Sequence, residues 1–316
     1  MINKNDKIFV AGHNGLVGSA IVRKLKEKKF RNIITVEKKR LNLINQKNVE
    51  KFFKKVRPKY LIIAAAKVGG IKTNSEKVAE FIYENLQIQT NLIHSAYKYG
   101  ISSLVFLGSS CIYPKYSKQP IKESYLLTGK LENTNEAYAV AKIAGVKMCE
   151  YYNQQYQTNF KSLMPTNTFG PNDNYDLNTS HFLPALIRKI YEAKIKNNKS
   201  INLWGNGKTK RELIYVDDLA EASIYFLFKK TKKNLINIGT QKDYTIENYA
   251  KKIMKILNVN LKIKYIKKNL KGTPRKVMDC SIANRLGWKP KTSIDKGLNL
   301  SIKDFIKKYK QYTKTS

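Results

Sequence analysis

Near the start of the chain, the apolar run KIFVAG passes directly into three glycines, Gly12, Gly15 and Gly18, and an amphipathic stretch from Leu16 to Lys29. Few arrangements accommodate that order. The glycines permit a tight turn, a close approach to the backbone and a helix lying against the strand it follows. The helix N-terminus adds unpaired N–H groups and the positive end of its dipole. The segment reads as strand, phosphate-binding turn and helix, the opening of a Rossmann-type, doubly wound parallel α/β sheet. The same alternation continues through the first half. NIITVE, KYLIIAAA, SLVFLGSS and FKSLMPTN read as further strands, with helical spacing from about Lys77 to Tyr99 and from about Ala137 to Gln155.

After Pro171 the texture changes to the polar, turn-rich NDNYDLNTSHFLP. A helix near Pro184 to Lys196 and a strand at INLW follow, while Val216 to Lys229 and LINIG read as a return to the first unit. This organisation predicts a dinucleotide-binding domain over 1–173, rejoined by about 213–240. Segments 174–212 and 241–316 would form a smaller, discontinuous C-terminal domain that binds substrate.

Composition narrows the class. Of 316 residues, 42% are hydrophobic, enough to bury a large core and exclude a disordered chain. No apolar run approaches the roughly 18 residues of a membrane helix, and the opening segment lacks the form of a signal peptide. Cys111, Cys149 and Cys280 have no metal-ligand spacing and read as reduced thiols of a cytoplasmic protein. The formal charge of +37 raises a nucleic-acid alternative, a non-catalytic basic binding protein. Its lysines, however, are scattered doublets such as Lys28-Lys29, Lys54-Lys55, Lys251-Lys252 and Lys307-Lys308, with no single stripe. That distribution suits a solvated surface which also draws in anionic ligands.

The chemistry is carried by a second anchor. Tyr138 and Lys142 lie four residues apart, on one face of a helix. A tyrosine of pKa about 10 becomes a useful proton donor or acceptor near neutrality when a neighbouring ammonium and an oxidised nicotinamide lower that pKa. Ser109 and Ser110 end the fourth predicted strand, where a doubly wound sheet opens its crevice, so Ser109 can hydrogen-bond the reacting oxygen. At the end of strand two, Glu37 would suit the 2′-hydroxyl of NAD, whereas Lys38, Lys39 and Arg40 would suit the 2′-phosphate of NADP. The balance favours NADP and leaves NAD open.

G-x-x-G-x-x-G resembles the extended, sugar-nucleotide branch of the short-chain dehydrogenase/reductases. GSSCIYP, EAYAVAKIAG, MPTNTFGPNDNY, the His181 segment and GTPRK together resemble the GDP-L-fucose synthase family over nearly the whole chain. The resemblance implies a homodimeric, NADP-dependent enzyme acting on GDP-4-keto-6-deoxy-D-mannose, by epimerisation at carbons 3 and 5 and then reduction at carbon 4. It implies proton exchange by Cys111 and His181, and reduction by Tyr138 with Ser109 and Lys142. Cofactor contacts would come from Gly12, His13, Asn14, Gly15, Leu16, Val17, Gly18, Lys38, Leu107, Gly108, Ser109, Ser110, Lys142, Pro165, Thr166, Asn167, Thr168 and His181. Lys189, Trp204 and Arg211 would meet the nucleotide. The sequence departs from the family's arginines at Asn14, Lys38 and Lys189, and Lys271 stands where the family is acidic. A reductase or partial epimerase acting on another GDP-4-keto sugar, such as a heptose, is the rival within the same class. Cys149 and Cys280 read as buried thiols, His13 as part of the glycine turn, and His94 as a helix surface position.

Overall fold

The apolar runs of the first half pair in parallel because each is covered on both faces by helices. A computed structural model describes residues 3–266 and 273–313; Lys271 and Gly272 of the LKGTPRK segment lie outside them. The strands in chain order are β1 (Ile8–Ala11), β2 (Ile33–Ile34), β3 (Tyr60–Ile63), β4 (Ser103–Leu107), β5 (Phe160–Pro165) and β6 (Asn167–Phe169). They continue with β7 (Ser200–Trp204), β8 (Lys210–Tyr215), β9 (Leu235–Ile238), β10 (Asp243–Thr245), β11 (Lys262–Ile266) and β12 (Arg275–Lys276). The main helices are α1 (Leu16–Glu27), α2 (Gln46–Val56), α3 (Ile71–Glu76), α4 (Val78–Lys98) and α5 (Glu136–Tyr156). Beyond them come α6 (Phe182–Ile195), α7 (Val216–Phe228), α8 (Ile246–Leu257), α9 (Ser281–Arg285) and α10 (Ile294–Thr313).

The principal sheet has six strands in the order β2-β1-β3-β4-β5-β9, all parallel. One apolar cluster joins α2, α4 and α5 to one face through Phe53, Leu92, Phe106 and Val146, and another joins α1 and α7 to the opposite face through Ile21, Val105, Leu219 and Phe226. The order reverses between β1 and β3, so a crevice opens beyond their carboxyl ends. A third cluster, including Phe169, Ile187, Leu203, Tyr249 and Phe305, gathers α6, α8, α10, β7 and β8 above that edge. Among the described residues, no helix is long and apolar enough to cross a membrane.

The expected strands are shorter than the runs that suggested them, and two show why. NIITVE pairs only through Ile33 and Ile34, at the sheet's outer edge, before the chain turns at Glu37–Arg40. FKSLMPTN leaves the main sheet at Pro165; β6 then pairs with β8, which carries the chain into a second, four-stranded sheet. His94 is half-buried, with Nδ1 2.8 Å from the Tyr152 hydroxyl, so it is not the plain helix-surface residue expected.

The glycine turn joins these layers. Gly12 has φ of 88°, and a Cβ there would stand 2.5 Å from the Ala65 nitrogen at the end of β3. A Cβ at Gly18 would collide with the Gly12 carbonyl. Gly12→Ala combines that collision with an unfavourable φ. Denaturant unfolding should show a loss of about 1–3 kcal/mol; an unchanged midpoint would mean that the turn relaxes freely.

Candidate active site

The carboxyl end of β4 brings the expected reactive residues together. Ser109 caps a short 3-10 turn, and its Oγ accepts the Cys111 N–H at 3.3 Å. That bond turns the chain sharply at the edge of the sheet and places the Cys111 thiol, 6% exposed, beside the first turns of α5. On α5, Lys142 is 2% exposed; its Nζ donates to the Leu107 carbonyl at 2.8 Å and lies 4.6 Å from the centroid of the Phe106 ring. Tyr138, one turn earlier, has its ring centroid 5.7 Å from the same ammonium and meets Phe81 of α4 edge-on.

Low-dielectric surroundings govern how these groups titrate. Burial lowers the Lys142 ammonium to about 8 and raises the Cys111 thiol above its ordinary value, although the nearby cations of Lys276 and Lys142 and the Ser109 hydrogen bond oppose the latter shift. The Tyr138 phenol also moves up, first through desolvation and then through the neighbouring Cys111 charge. Part of the Tyr138 ring still faces the cleft, but the protein around it disfavours a phenolate more than Lys142 stabilises one. The phenol is consequently a proton donor in this structure.

His181 is the residue that precedes α6. Its ring is exposed to the cleft, yet enough protein surrounds it for desolvation to lower the imidazole pKa and keep it neutral. The loop leading to it is tied to the end of β3 by the Gly70 N–H, which donates to the Thr179 carbonyl at 3.1 Å.

Lys276, the final residue of GTPRK, had no role in the sequence reading. Its half-buried ammonium interacts electrostatically with Cys111, Arg211 and Glu132, and burial lowers it to about 8. Three buried oxygens without a hydrogen-bond partner also border the cleft's segments: Asn74 Oδ1 on α3, Asn135 Oδ1 just before α5, and Ser180 Oγ beside His181. A buried polar atom without a protein partner suits a polar ligand. These residues had no sequence signal, because only tertiary contact between α3, the turn before α5 and the His181 loop assembles them.

The remaining expected residues divide into two groups. Beside β1, Gly15 precedes α1 without a side-chain cap, so the first helical N–H groups, beginning at Leu16 and Val17, face the crevice with His13 and the exposed Asn14. Gly108 donates its N–H to the Leu163 carbonyl at 2.9 Å and Ser110 is buried, so both are fixed parts of the floor. Across from them, Thr166 is buried and donates its hydroxyl to the Glu212 carbonyl at 3.0 Å, fixing the Pro165–Thr168 segment, in which Asn167 is half-buried. Glu37, Lys38, Lys39 and Arg40 are all exposed, and the structure gives neither sign an exclusive contact. The turn can therefore cradle a diphosphate, as its closely packed glycines require. The second group lies farther out. Lys189 Nζ stands 4.8 Å over the ring of Trp204, which is half exposed, at a cavity of about 380 Å3 that also includes Glu192 and Ile266. Arg211 is half-buried on β8, where it pairs in register with Lys276 of β12.

A family model described as the NAD dependent epimerase/dehydratase family matches residues 8–239. The chain is 48% identical over 307 residues to GDP-L-fucose synthase 1 of Arabidopsis thaliana, across 97% of this chain and 95% of that one. Its structure matches a GDP-L-fucose synthetase from Naegleria fowleri bound to NADP with a TM-score of 0.91, at 25% identity over 98% and 95% of the two chains. A GDP-mannoheptose C4 reductase from Campylobacter jejuni with NADP bound matches with a TM-score of 0.88, at 35% identity over 97% and 100%.

The raised thiol pKa gives a direct chemical expectation. Carbamidomethylation of Cys111 at pH 7 should run slower than for a free thiol and accelerate as pH rises, because only the thiolate attacks. Rapid labelling of the Cys111 peptide at pH 7, followed by mass spectrometry, would contradict the burial assigned to it.

Proposed function

We infer the function from membership: the chain belongs to the NAD dependent epimerase/dehydratase family, among its GDP-L-fucose synthases. It converts GDP-4-keto-6-deoxy-D-mannose to GDP-L-fucose by 3,5-epimerisation and 4-keto reduction, with NADP as its cofactor. The observation that supports carrying this assignment to the residues is the convergence of Ser109, Cys111, Tyr138 and Lys142 at the end of β4; His181, before α6, is assigned to the same site on the family pattern.

The residues fit NADP. The crowded turn at Gly12 and Gly18 and the uncapped start of α1 form a diphosphate cradle, and the Pro165–Thr168 segment closes the far side. Bound there, the reduced nicotinamide supplies the hydride for carbon 4. The 4-ketone first makes the hydrogens at carbons 3 and 5 acidic. Cys111 and His181 exchange those protons, the protonated thiol as donor and the neutral imidazole as acceptor. Ser109 Oγ orients the carbonyl oxygen, and Tyr138, kept protonated by burial, delivers a proton to that oxygen as carbon 4 is reduced. Lys142 fixes this end of α5 to β4 and places a positive charge close to the developing oxyanion.

Lys189, Trp204 and Arg211 receive the GDP end, Trp204 as a stacking surface and the two cations as diphosphate partners. This reading divides the chain as 1–173 with about 213–240 for the cofactor, and 174–212 with 241–316 for the GDP-sugar. We place the enzyme in the cytoplasm as a homodimer without nucleic acid. Support for the pairing comes from the packed outer surfaces of α4 and α5, where Tyr83, Tyr97, Val140, Tyr151 and Tyr156 remain exposed. The likeness to the C. jejuni C4 reductase supports one second reading, simple reduction of another GDP-4-keto sugar; both Cys111 and His181 would then be superfluous.

Purified protein should oxidise NADPH when given GDP-4-keto-6-deoxymannose; no oxidation with either NADPH or NADH would refute the function. Tyr138→Phe should lower turnover about 10²–10⁴-fold while proton exchange at carbons 3 and 5 persists, as read by NMR in deuterated water. Loss of both together would remove Tyr138 from the reduction step. Light scattering should give twice the 36.4 kDa chain mass, and Tyr151→Glu with Val140→Glu should halve it; a monomeric wild type would reject the pairing.

A further inference from the structure

One carboxylate outside the reacting group is built into the site with unusual completeness. Glu212 on β8 is fully buried. Its Oε1 accepts the Thr240 and Gln241 N–H groups at 2.5 and 2.6 Å, and its Oε2 accepts the Met278 N–H at 2.7 Å. Its own carbonyl receives the Thr166 hydroxyl. A Cβ on Gly239 would lie 3.0 Å from the Glu212 carboxyl carbon, so the 239–241 loop is closed directly upon this side chain. Burial pushes the carboxyl up to about 7 despite these donors. Such a group is costly where packing alone would suit an apolar residue.

The clamped segments explain the cost. Successive side chains of a strand point to opposite faces, so Arg211 projects away from the buried side of Glu212. Lys276 pairs in register with Arg211, two residues before the Met278 N–H that Glu212 holds. Gln241, the other clamped residue, accepts the Cys280 N–H through its side chain at 3.1 Å, extending the hold along the Lys276 segment. Arg211 and Lys276 repel each other. Without a rigid frame, two like charges in a low-dielectric cleft would separate.

We propose that Glu212 is a positioning residue which, through the Met278, Thr240 and Gln241 N–H groups, holds Arg211 and Lys276 close together for an anionic diphosphate. The proposal rests on the reading that this site takes a GDP-sugar. Glu212 touches neither ligand nor reacting atoms; it acts through the two cations.

The test measures GDP binding and NADPH binding separately by calorimetry on the full chain. Glu212→Gln keeps the shape but sets an NH2 against one of the three donors. It should weaken GDP about tenfold and change NADPH less than about twofold. On a Lys276→Met background the same substitution should add clearly less than its full tenfold, because one of the two cations it places is already gone. Gly239→Ala, which displaces the carboxylate without removing it, should reproduce the selective loss. Wild-type protein that binds no GDP would refute the functional reading itself. Wild-type binding with an unaffected Glu212→Gln variant would overturn the positioning role. So would equal losses of GDP and NADPH affinity, full multiplication of the Glu212 and Lys276 effects, or failure of both Glu212→Gln and Gly239→Ala to fold.

Discussion

The hydrogen bond from Lys142 Nζ to the Leu107 carbonyl ties the longest features of the site to one point. It fastens α5 to the carboxyl end of β4, where the parallel sheet opens. Tyr138 then follows from helical spacing, while Ser109 and Cys111 follow from the turn that β4 must make. Removing the ammonium from bulk water is costly, as its lowered pKa shows. The gain is a cation that needs no reorganisation when negative charge develops on a substrate oxygen.

Burial sets the resting protonation of the whole cleft. It holds Tyr138 and Cys111 protonated and His181 neutral. Each shift disfavours the charged form, as a water-poor cavity requires. Lys142 and Lys276 supply the positive charge that an anionic sugar nucleotide would meet, from two directions. The same low dielectric makes their placement important, which is why a network of backbone donors around a single carboxylate matters at the edge of the site.

Much of this arrangement was legible because it is local. The strand–glycine–helix order fixes the phosphate turn, and four-residue spacing aligns Tyr138 with Lys142. The SSC segment marks the end of a strand. What the sequence did not reveal depends on contacts between distant segments. Lys276 arrives on a two-residue strand paired with β8, and Glu212 is meaningful only when three separate N–H groups surround it. At Tyr138, spacing reports a neighbouring charge but not the exclusion of water around the phenol. At strand two, an edge position with few partners cut the six-residue NIITVE pattern to Ile33 and Ile34. Trp204 could have been a core residue on composition alone, and its half-exposed ring beside Lys189 was visible only in the tertiary structure.

The central claim is that one cleft performs proton exchange and reduction on the same sugar ring. Turnover in deuterated water with NADPH deuterated at its transferred position, followed by NMR of the product, examines both steps together. The account predicts solvent deuterium at carbons 3 and 5 and cofactor deuterium at carbon 4, in GDP-L-fucose. A reduced product carrying deuterium at carbon 4 but none at carbons 3 and 5 would contradict it, leaving a reductase without epimerisation.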